Sequence, residues 1–364
     1  MANSLEPHLK SAFERQAQAC AELGSNFTAL LCALVARDGL PNGELSDRIN
    51  AWEGDVSPAG ASIPLRLMGA LHNLVLTNQA PELVAIYPPN MHPGESKTAE
   101  RLQNALAGYE TEILCFIDRA PQTNETARSA TLLPGFLLVA KKFKLPFVHS
   151  ELGASAGLNL NWDRYGYDYG SWAWGQTDAE PVFTPKRQGT DFIPTPVEVI
   201  HRAGCDISPV PIATEKDQLR LKSYVWPDQT DRKERLSKAL KVAAHHPTTV
   251  EQSDTLQWLQ NRLDAAPEGA LHVVTHTIAW QYFPQNTKDD GEQAFLKAGA
   301  VATATRPLAR LRLEADGMSP GAALSLSFWD GSKPEGHHIS LGRADFHGRW
   351  INWNVGTDLE NLNG

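Results

Sequence analysis

Phe147-Val148-His149-Ser150-Glu151-Leu152-Gly153-Ala154-Ser155-Ala156-Gly157-Leu158-Asn159-Leu160 runs from an apolar stretch into a turn of small residues, with a carboxylate at the junction. Such a turn lets the backbone approach a ligand closely, because glycine accepts positive φ and has no side chain to hold the ligand away. Two chemistries use it. As Glu-x-Gly-x-Ser-x-Gly it is a nucleotide-binding turn with an acid at the strand end. As Gly-x-Ser-x-Gly, Gly153 to Gly157, it is an elbow that presents Ser155 as a hydrolase nucleophile.

Other polar residues fall where a doubly wound sheet would use them. If Phe147 to Glu151 is a first strand, ligands belong at the C-terminal ends of the strands. The next three strand-like runs end at Asp206, near Asp254, and at His276. An acid after the second strand can accept from a ribose diol, and one after the third from an adenine amino group. Aspartates also follow strands simply because they suit turns.

The turn lacks Gly-x-Gly-x-x-Gly, and no acid follows at the roughly 20-residue spacing of a dinucleotide fingerprint. With no pyrophosphate to cradle, a small-residue turn behind a carboxylate suits a sulfonium nucleoside, S-adenosylmethionine. For methyl transfer to a small-molecule acceptor the best-placed bases are His276, in Val273-Val274-Thr275-His276-Thr277, and Tyr282 beyond it. A core histidine bonded to backbone explains His276 equally well. Asn124 and Arg128 lie before the first strand, where Arg128 can pair bidentately with a ligand carboxylate. Asn159, Asp163, Arg164 and Tyr165 are candidates for the acceptor side.

A serine hydrolase would use Ser155 with Asp330 and His347, which follow in a suitable order. Against it, an elbow is followed at once by a helix, whereas Leu158 to Tyr167 makes at best one turn, and Glu151 has no part in that mechanism. A third reading keeps the scaffold as a non-catalytic ligand-binding protein. The pairs His245-His246 and His337-His338 sit beside Pro or Gly, and adjacent residues on a regular element face different ways, so no metal is expected.

These residues need elements to hold them. Leu5, Leu9, Phe13, Ala17, Cys20 and Leu23 recur at helical spacing, and further helical runs cover Phe27 to Val35, Pro64 to Leu76, Pro81 to Tyr87 and Ala99 to Ile117. Residues 1–120 therefore read as an α-helical lobe without strands, and 121–364 as an α/β domain. In the latter, a helix over Thr126 to Phe143 feeds the first strand, and 161–195, rich in Trp, Tyr, Gly and Pro, reads as a long ordered loop or lid. Strands then follow at Pro196 to Ala203, Thr248 to Val250, Leu271 to Thr277, Leu308 to Glu314, Ala322 to Trp329 and Trp350 to Trp353. Helices fall at Asp228 to Ala244, Leu256 to Leu263 and Glu292 to Ala304. Alternation followed by a run of strands predicts a mostly parallel sheet with an antiparallel edge.

From about Gln122 to Trp353 the pattern resembles the class I S-adenosylmethionine-dependent methyltransferases. Glu151, Gly153, Ser155 and Gly157 match their first motif, Asp206 in Gly204-Cys205-Asp206-Ile207-Ser208-Pro209 the second, and Asp254 in Val250-Glu251-Gln252-Ser253-Asp254 the third. The resemblance implies a Rossmann-like methyltransferase-type domain with these residues around the cofactor. Ser155 departs from it, standing where many such enzymes have glycine. No Asn/Asp-Pro-Pro-Tyr motif follows the fourth strand. More narrowly, Gln122-Thr123-Asn124-Glu125 with Arg128, Asp163-Arg164-Tyr165, Trp226-Pro227-Asp228-Gln229 and His347-Gly348 resemble a bacterial family classed as a domain of unknown function.

The 364 residues carry a net charge of -9, against a general nucleic-acid or anionic-membrane surface. Met1 to Lys10 has no basic flank before an apolar core, and no long uncharged apolar run occurs, so a cytoplasmic protein is expected. The four cysteines, Cys20, Cys32, Cys115 and Cys205, are scattered and read as buried free thiols.

Overall fold

The computed structural model describes residues 2–58 and 60–355, which form two compact units: one of the residues up to Thr123 together with Val210–Glu234, the other of Asn124–Pro209 with the residues from Arg235 on. The sequence reading put all of 121–364 in one domain. The structure instead gives Val210–Glu234 to the first unit. The reason lies in Trp226-Pro227-Asp228-Gln229: the Asp228 carboxylate accepts from Ser25 Oγ and from the Phe27 backbone N–H at 2.9 Å, and Gln229 donates to the Leu23 carbonyl at 3.1 Å. The Asp228 carboxylate thereby satisfies the Phe27 N–H, an orphan donor at the start of the Asn26–Asp38 helix, whose own N-cap residue makes no side-chain cap.

The first unit is built of helices, chiefly Pro7–Glu22, Asn26–Asp38, Ile63–Leu76, Glu95–Gly108 and Glu110–Ile117, around a core that includes Phe13, Leu31, Leu67, Leu71 and Leu102. It also has a small strand pair, Ala2–Asn3 with Leu40–Pro41, too short to leave a pattern in the sequence. Cys20, Cys32 and Cys205 are buried, whereas Cys115 is exposed.

The second unit holds a nine-stranded sheet. Its strands are β1 (Phe147–Leu152), β2 (Lys186–Gly189), β3 (Val199–Asp206), β4 (Thr249–Gln252), β5 (Leu271–Thr277), β6 (Leu308–Glu314), β7 (Ala322–Trp329), β8 (His337–Ala344) and β9 (Trp350–Trp353), in the order β2-β9-β8-β7-β6-β5-β1-β3-β4. From β4 to β6 all pairs are parallel, and from β6 to β9 they are antiparallel. The chain moves outward from β1 through β3 to β4, then restarts on the other side of β1 at β5. That reversal is a topological switch point, located between β1 and β5. The edge differs from expectation, since β2 closes the sheet by pairing parallel to β9.

Three helices flank the sheet: α1 (Arg128–Phe143), α2 (Thr255–Asp264) and α3 (Gln285–Ala300). Side chains alternate between faces along a strand. Phe147 and His149 meet Phe136 of α1, while Ser150 meets Arg262 of α2. Glu151 therefore belongs to the α1 face, and Leu152 to the core with Trp258 and Phe295 on the α2/α3 face.

The stretch 161–195, expected to be irregular, contains a three-stranded sheet of Gly166–Asp168, Ala173–Trp174 and Val182–Phe183, besides β2. Its rings pack on α1 and on one another: Trp162 stacks on Phe136 of α1 with centroids 3.9 Å apart, and Tyr165 and Tyr167 both meet Phe183. Among the described residues, no helix is long and apolar enough to cross a membrane.

Candidate functional site

The turn after β1 is held in a strained shape. Gly153 and Gly157 have φ of +66° and +72°, and Ser155, which is not glycine, has φ +55°. Asp206 at the end of β3 holds it there: Oδ2 accepts from the Ser155 N–H and Oδ1 from the Ser208 N–H, each at 2.9 Å. One carboxylate thus ties the turns after β1 and β3 together.

A second strained residue lies across the switch point. Ile278, directly after β5, has φ +50°, which is costly for a β-branched side chain. Glu314 at the end of β6 accepts from the Ala279 and Trp280 N–H groups at 3.1 and 3.2 Å and fixes this loop. The two turns touch, since a Cβ on Gly153 would come within 2.6 Å of the Ala279 Cβ.

Glu151 sits at that junction, 3 % exposed, with Oε2 making no hydrogen bond. Burial pushes its carboxyl up to about 8; the charge of Arg128 and a hydrogen bond from Asn159 pull the other way, and the charge of Asp206 adds to the rise. Ser155 Oγ and Asn159 Oδ1 are likewise buried and unbonded. Each such atom costs on the order of 1–3 kcal/mol in a folded interior. Three of them fall within nine residues of one strand-to-turn segment.

Arg128 and Asn124 knit the surroundings. Arg128 donates to the carbonyls of Thr277 at 3.2 Å and Phe346 at 2.8 Å, and Asn124 Oδ1 accepts from the Leu158 N–H at 2.8 Å. Both thereby join the start of α1 to the strand ends, which places them beside the turn but commits these atoms to backbone. Asp254 is exposed and acts as the N-cap of α2, its Oδ1 accepting from the Leu256 and Gln257 N–H groups at 3.0 and 3.2 Å. The cap alone accounts for an aspartate at that position. Asp254→Ala is expected to cost about 1 kcal/mol of stability, measured by urea unfolding.

His276 departs most from what a general base requires. Its ring is fully buried, with Nδ1 2.7 Å from Glu314 Oε1 and Nε2 accepting from Arg310 Nε at 3.0 Å. Arginine only donates, so Nε2 carries the lone pair and Nδ1 the proton. Burial holds the ring's pKa down at about 4, with Glu314 opposing and Arg310 reinforcing. Neither nitrogen is left for a substrate proton. Tyr282, by contrast, is 52 % exposed.

Arg310 extends this chain. It is buried, donates to Glu292 Oε2 at 2.7 Å, and has its guanidinium 4.4 Å from the Trp280 ring and 4.3 Å from that of Phe295. Sequence reading passed over Arg310 and Glu314. Their signal was alternation: positions 310, 312 and 314 put three charges on one face of an otherwise apolar strand, a face that α3 covers through Glu292 and Phe295.

The hydrolase residues are not assembled. Ser155 Oγ bonds to nothing, while Asp330 is engaged with Ser332 and with Lys142 at 3.3 Å. The histidine pairs are also split, His338 bonding to Ser327 Oγ and the Glu335 carbonyl while His337 faces Ser332.

A comparison with curated proteins gives no match. A family model does match, over residues 10–353, which is nearly the whole chain. The protein belongs to the bacterial family described as "Uncharacterized protein conserved in bacteria (DUF2332)".

Proposed function

We propose that the second unit binds S-adenosylmethionine at the C-terminal ends of β1, β3 and β5 and transfers its methyl group to a small-molecule acceptor. The observation that carries this reading is Glu151, a buried carboxyl with an unbonded oxygen at the switch point, beside a turn of positive-φ residues. A buried carboxyl with an unbonded oxygen favours a cationic or hydrogen-bond-donating group, and a sulfonium amino-acid nucleoside supplies both. The strand order β4-β3-β1-β5-β6 supports it as well, since ligands of doubly wound sheets bind where that order reverses.

Roles divide as follows. Glu151 faces the amino-acid or sulfonium end. Gly153, Ser155 and Gly157 give the close backbone approach, with Ser155 a small residue and not a nucleophile. Asp206 holds the turn and is the acceptor nearest the ribose hydroxyls. Asp254 stands toward the adenine end while capping α2. Tyr282 is the group on the acceptor side, since the ring nitrogens of His276 are taken.

Calorimetry with S-adenosylmethionine and with its demethylated product tests this. The wild-type chain is expected to bind both, and Glu151→Gln to weaken binding about tenfold or more. No heat with either ligand, or an unchanged affinity in Glu151→Gln, rejects the proposal.

A further inference from the structure

The opposite end of the parallel sheet holds a second cavity. It lies where β5 and β6 begin, encloses about 220 Å³ and is lined by residues including Leu263, Ala266, His272, Ala298, Ala302 and Arg306. The wall is mixed, apolar at Leu263, Ala298 and Ala302 and polar at Asp264, His272 and Arg306, and Arg306 sits at the rim with Nη2 donating to the Leu263 and Asp264 carbonyls at 3.5 and 3.1 Å.

One buried polar atom of the wall has no partner: Nδ1 of His272, a side chain 1 % exposed. Its tautomer follows from its neighbours. Ser150 Oγ accepts from Arg262 Nε at 3.0 Å and lies 2.9 Å from His272 Nε2. Among the described residues the hydroxyl proton has no other acceptor, so Ser150 donates to Nε2, and Nδ1 carries a proton. The cavity thus offers one buried N–H donor. The charges acting on that ring are chiefly the guanidinium groups of Arg262 and Arg306, which with burial keep it neutral. A partly apolar pocket with one N–H donor, under a positive field and with an arginine at the rim, suits a small anion with an apolar tail.

We propose that this cavity is a second ligand site, which takes a small monocarboxylic acid with its tail among Leu263, Ala298 and Ala302 and its carboxylate on His272 Nδ1 and Arg306. The site is independent of the turn at Gly153. Its loss or confirmation says nothing about S-adenosylmethionine, and the reverse holds too.

The test uses the full chain, with benzoate as the probe and benzamide as its neutral counterpart, followed by calorimetry and by ¹⁵N resonances of the histidine rings. Benzoate is expected to bind one per chain in the millimolar range and to shift the His272 ring signals, with benzamide about tenfold weaker. Arg306→Gln is expected to bring benzoate down to the benzamide level. Ala298→Leu, which fills the cavity from a helix, is expected to abolish both; Ala266→Leu fills it from the rim and serves if the first variant fails to fold. Equal affinity for the two probes, undiminished binding in a filled variant, or no binding of benzoate overturns the proposal.

Discussion

Glu151→Gln should make the protein more stable at pH 8 while weakening the proposed S-adenosylmethionine binding about tenfold or more. In the fold the Glu151 carboxyl titrates at about 8, against the 4.5 of an ordinary glutamate, because burial disfavours its charge. Between those values the folded chain holds a proton that the unfolded chain has released. Stability therefore falls as pH rises from about 4.5 to about 8, and the contribution is fully present only below the lower value. Each pH unit in that window is worth at most ~1.4 kcal/mol. A glutamine stays neutral throughout and escapes the loss, although its amide brings N–H groups that also want partners, at a cost of about 1–3 kcal/mol.

The net gain expected at pH 8 is about 2 kcal/mol, or roughly 4–8 °C in melting temperature for a domain of this size. Near pH 4, where the wild type carries no such loss, the variant should be the less stable of the two by its amide cost of about 1–3 kcal/mol. Thermal unfolding across pH 4–9 checks this, and a difference that does not change with pH would show that Glu151 is ionised in the fold. A residue that costs stability and is removed with profit is what a binding function leaves behind.

Arg310→Met should be the most destabilising single change in the second unit. It removes donors from His276 Nε2 and Glu292 together and takes the cation from between Trp280 and Phe295. Breaking a buried charged network by deleting one partner costs on the order of 3–5 kcal/mol. Methionine fills much of the volume, so the loss reports the network more than a cavity. Urea unfolding gives the magnitude, and a loss under about 1 kcal/mol would mean the network contributes nothing net.

The same variant carries a titration signature. His276 is held at about 4 by burial and, in part, by Arg310, whereas Glu314 favours its charged form. With Arg310 gone, the ring should titrate closer to its ordinary range, read from its ¹⁵N shifts. Because Glu314 also anchors the Ala279 and Trp280 N–H groups, protonation at His276 would be felt in the loop that carries Ile278 and Tyr282.

Legibility in the sequence followed burial. Leu271–Thr277 and Leu308–Glu314 are readable to the residue, the first as a run rich in β-branched residues and the second as an alternation of apolar and charged residues from Ala309 on. β3 was placed three residues early, as its first half carries exposed polar side chains and gives no alternation. β8, His337–Ala344, escaped notice, its His-His start and Gly342 hiding a strand specified by hairpin pairing with β7. The small sheet within 161–195 rests on ring packing between residues distant in sequence, which no local period reveals.

At the site, carboxylates after strands were visible as positions but not as roles. Asp206 and Asp254 both accept backbone N–H groups, and a ligand-binding acid and a turn-holding acid look alike in one dimension. Glu151 differs from both in lying before the turn, and its Oε2 takes up no backbone N–H. His276 drew attention as a strand-end histidine, yet its meaning lay in Arg310 and Glu314, on the neighbouring strand.

The return of Val210–Glu234 to the first unit has a practical bearing on how this chain can be divided. A cut near residue 120 looks natural in the sequence, but it would strip the N-terminal piece of Asp228, which caps the Asn26–Asp38 helix, and of Ser223, whose carbonyl lies 3.1 Å from His72 Nδ1. The C-terminal piece would keep an orphan segment with Leu221, Tyr224 and Trp226, all buried in the intact protein, bare to solvent. Neither half is a self-contained module. Shortened versions for crystallisation or labelling need to retain both stretches, or to rejoin Thr123 and Val210 through a designed linker.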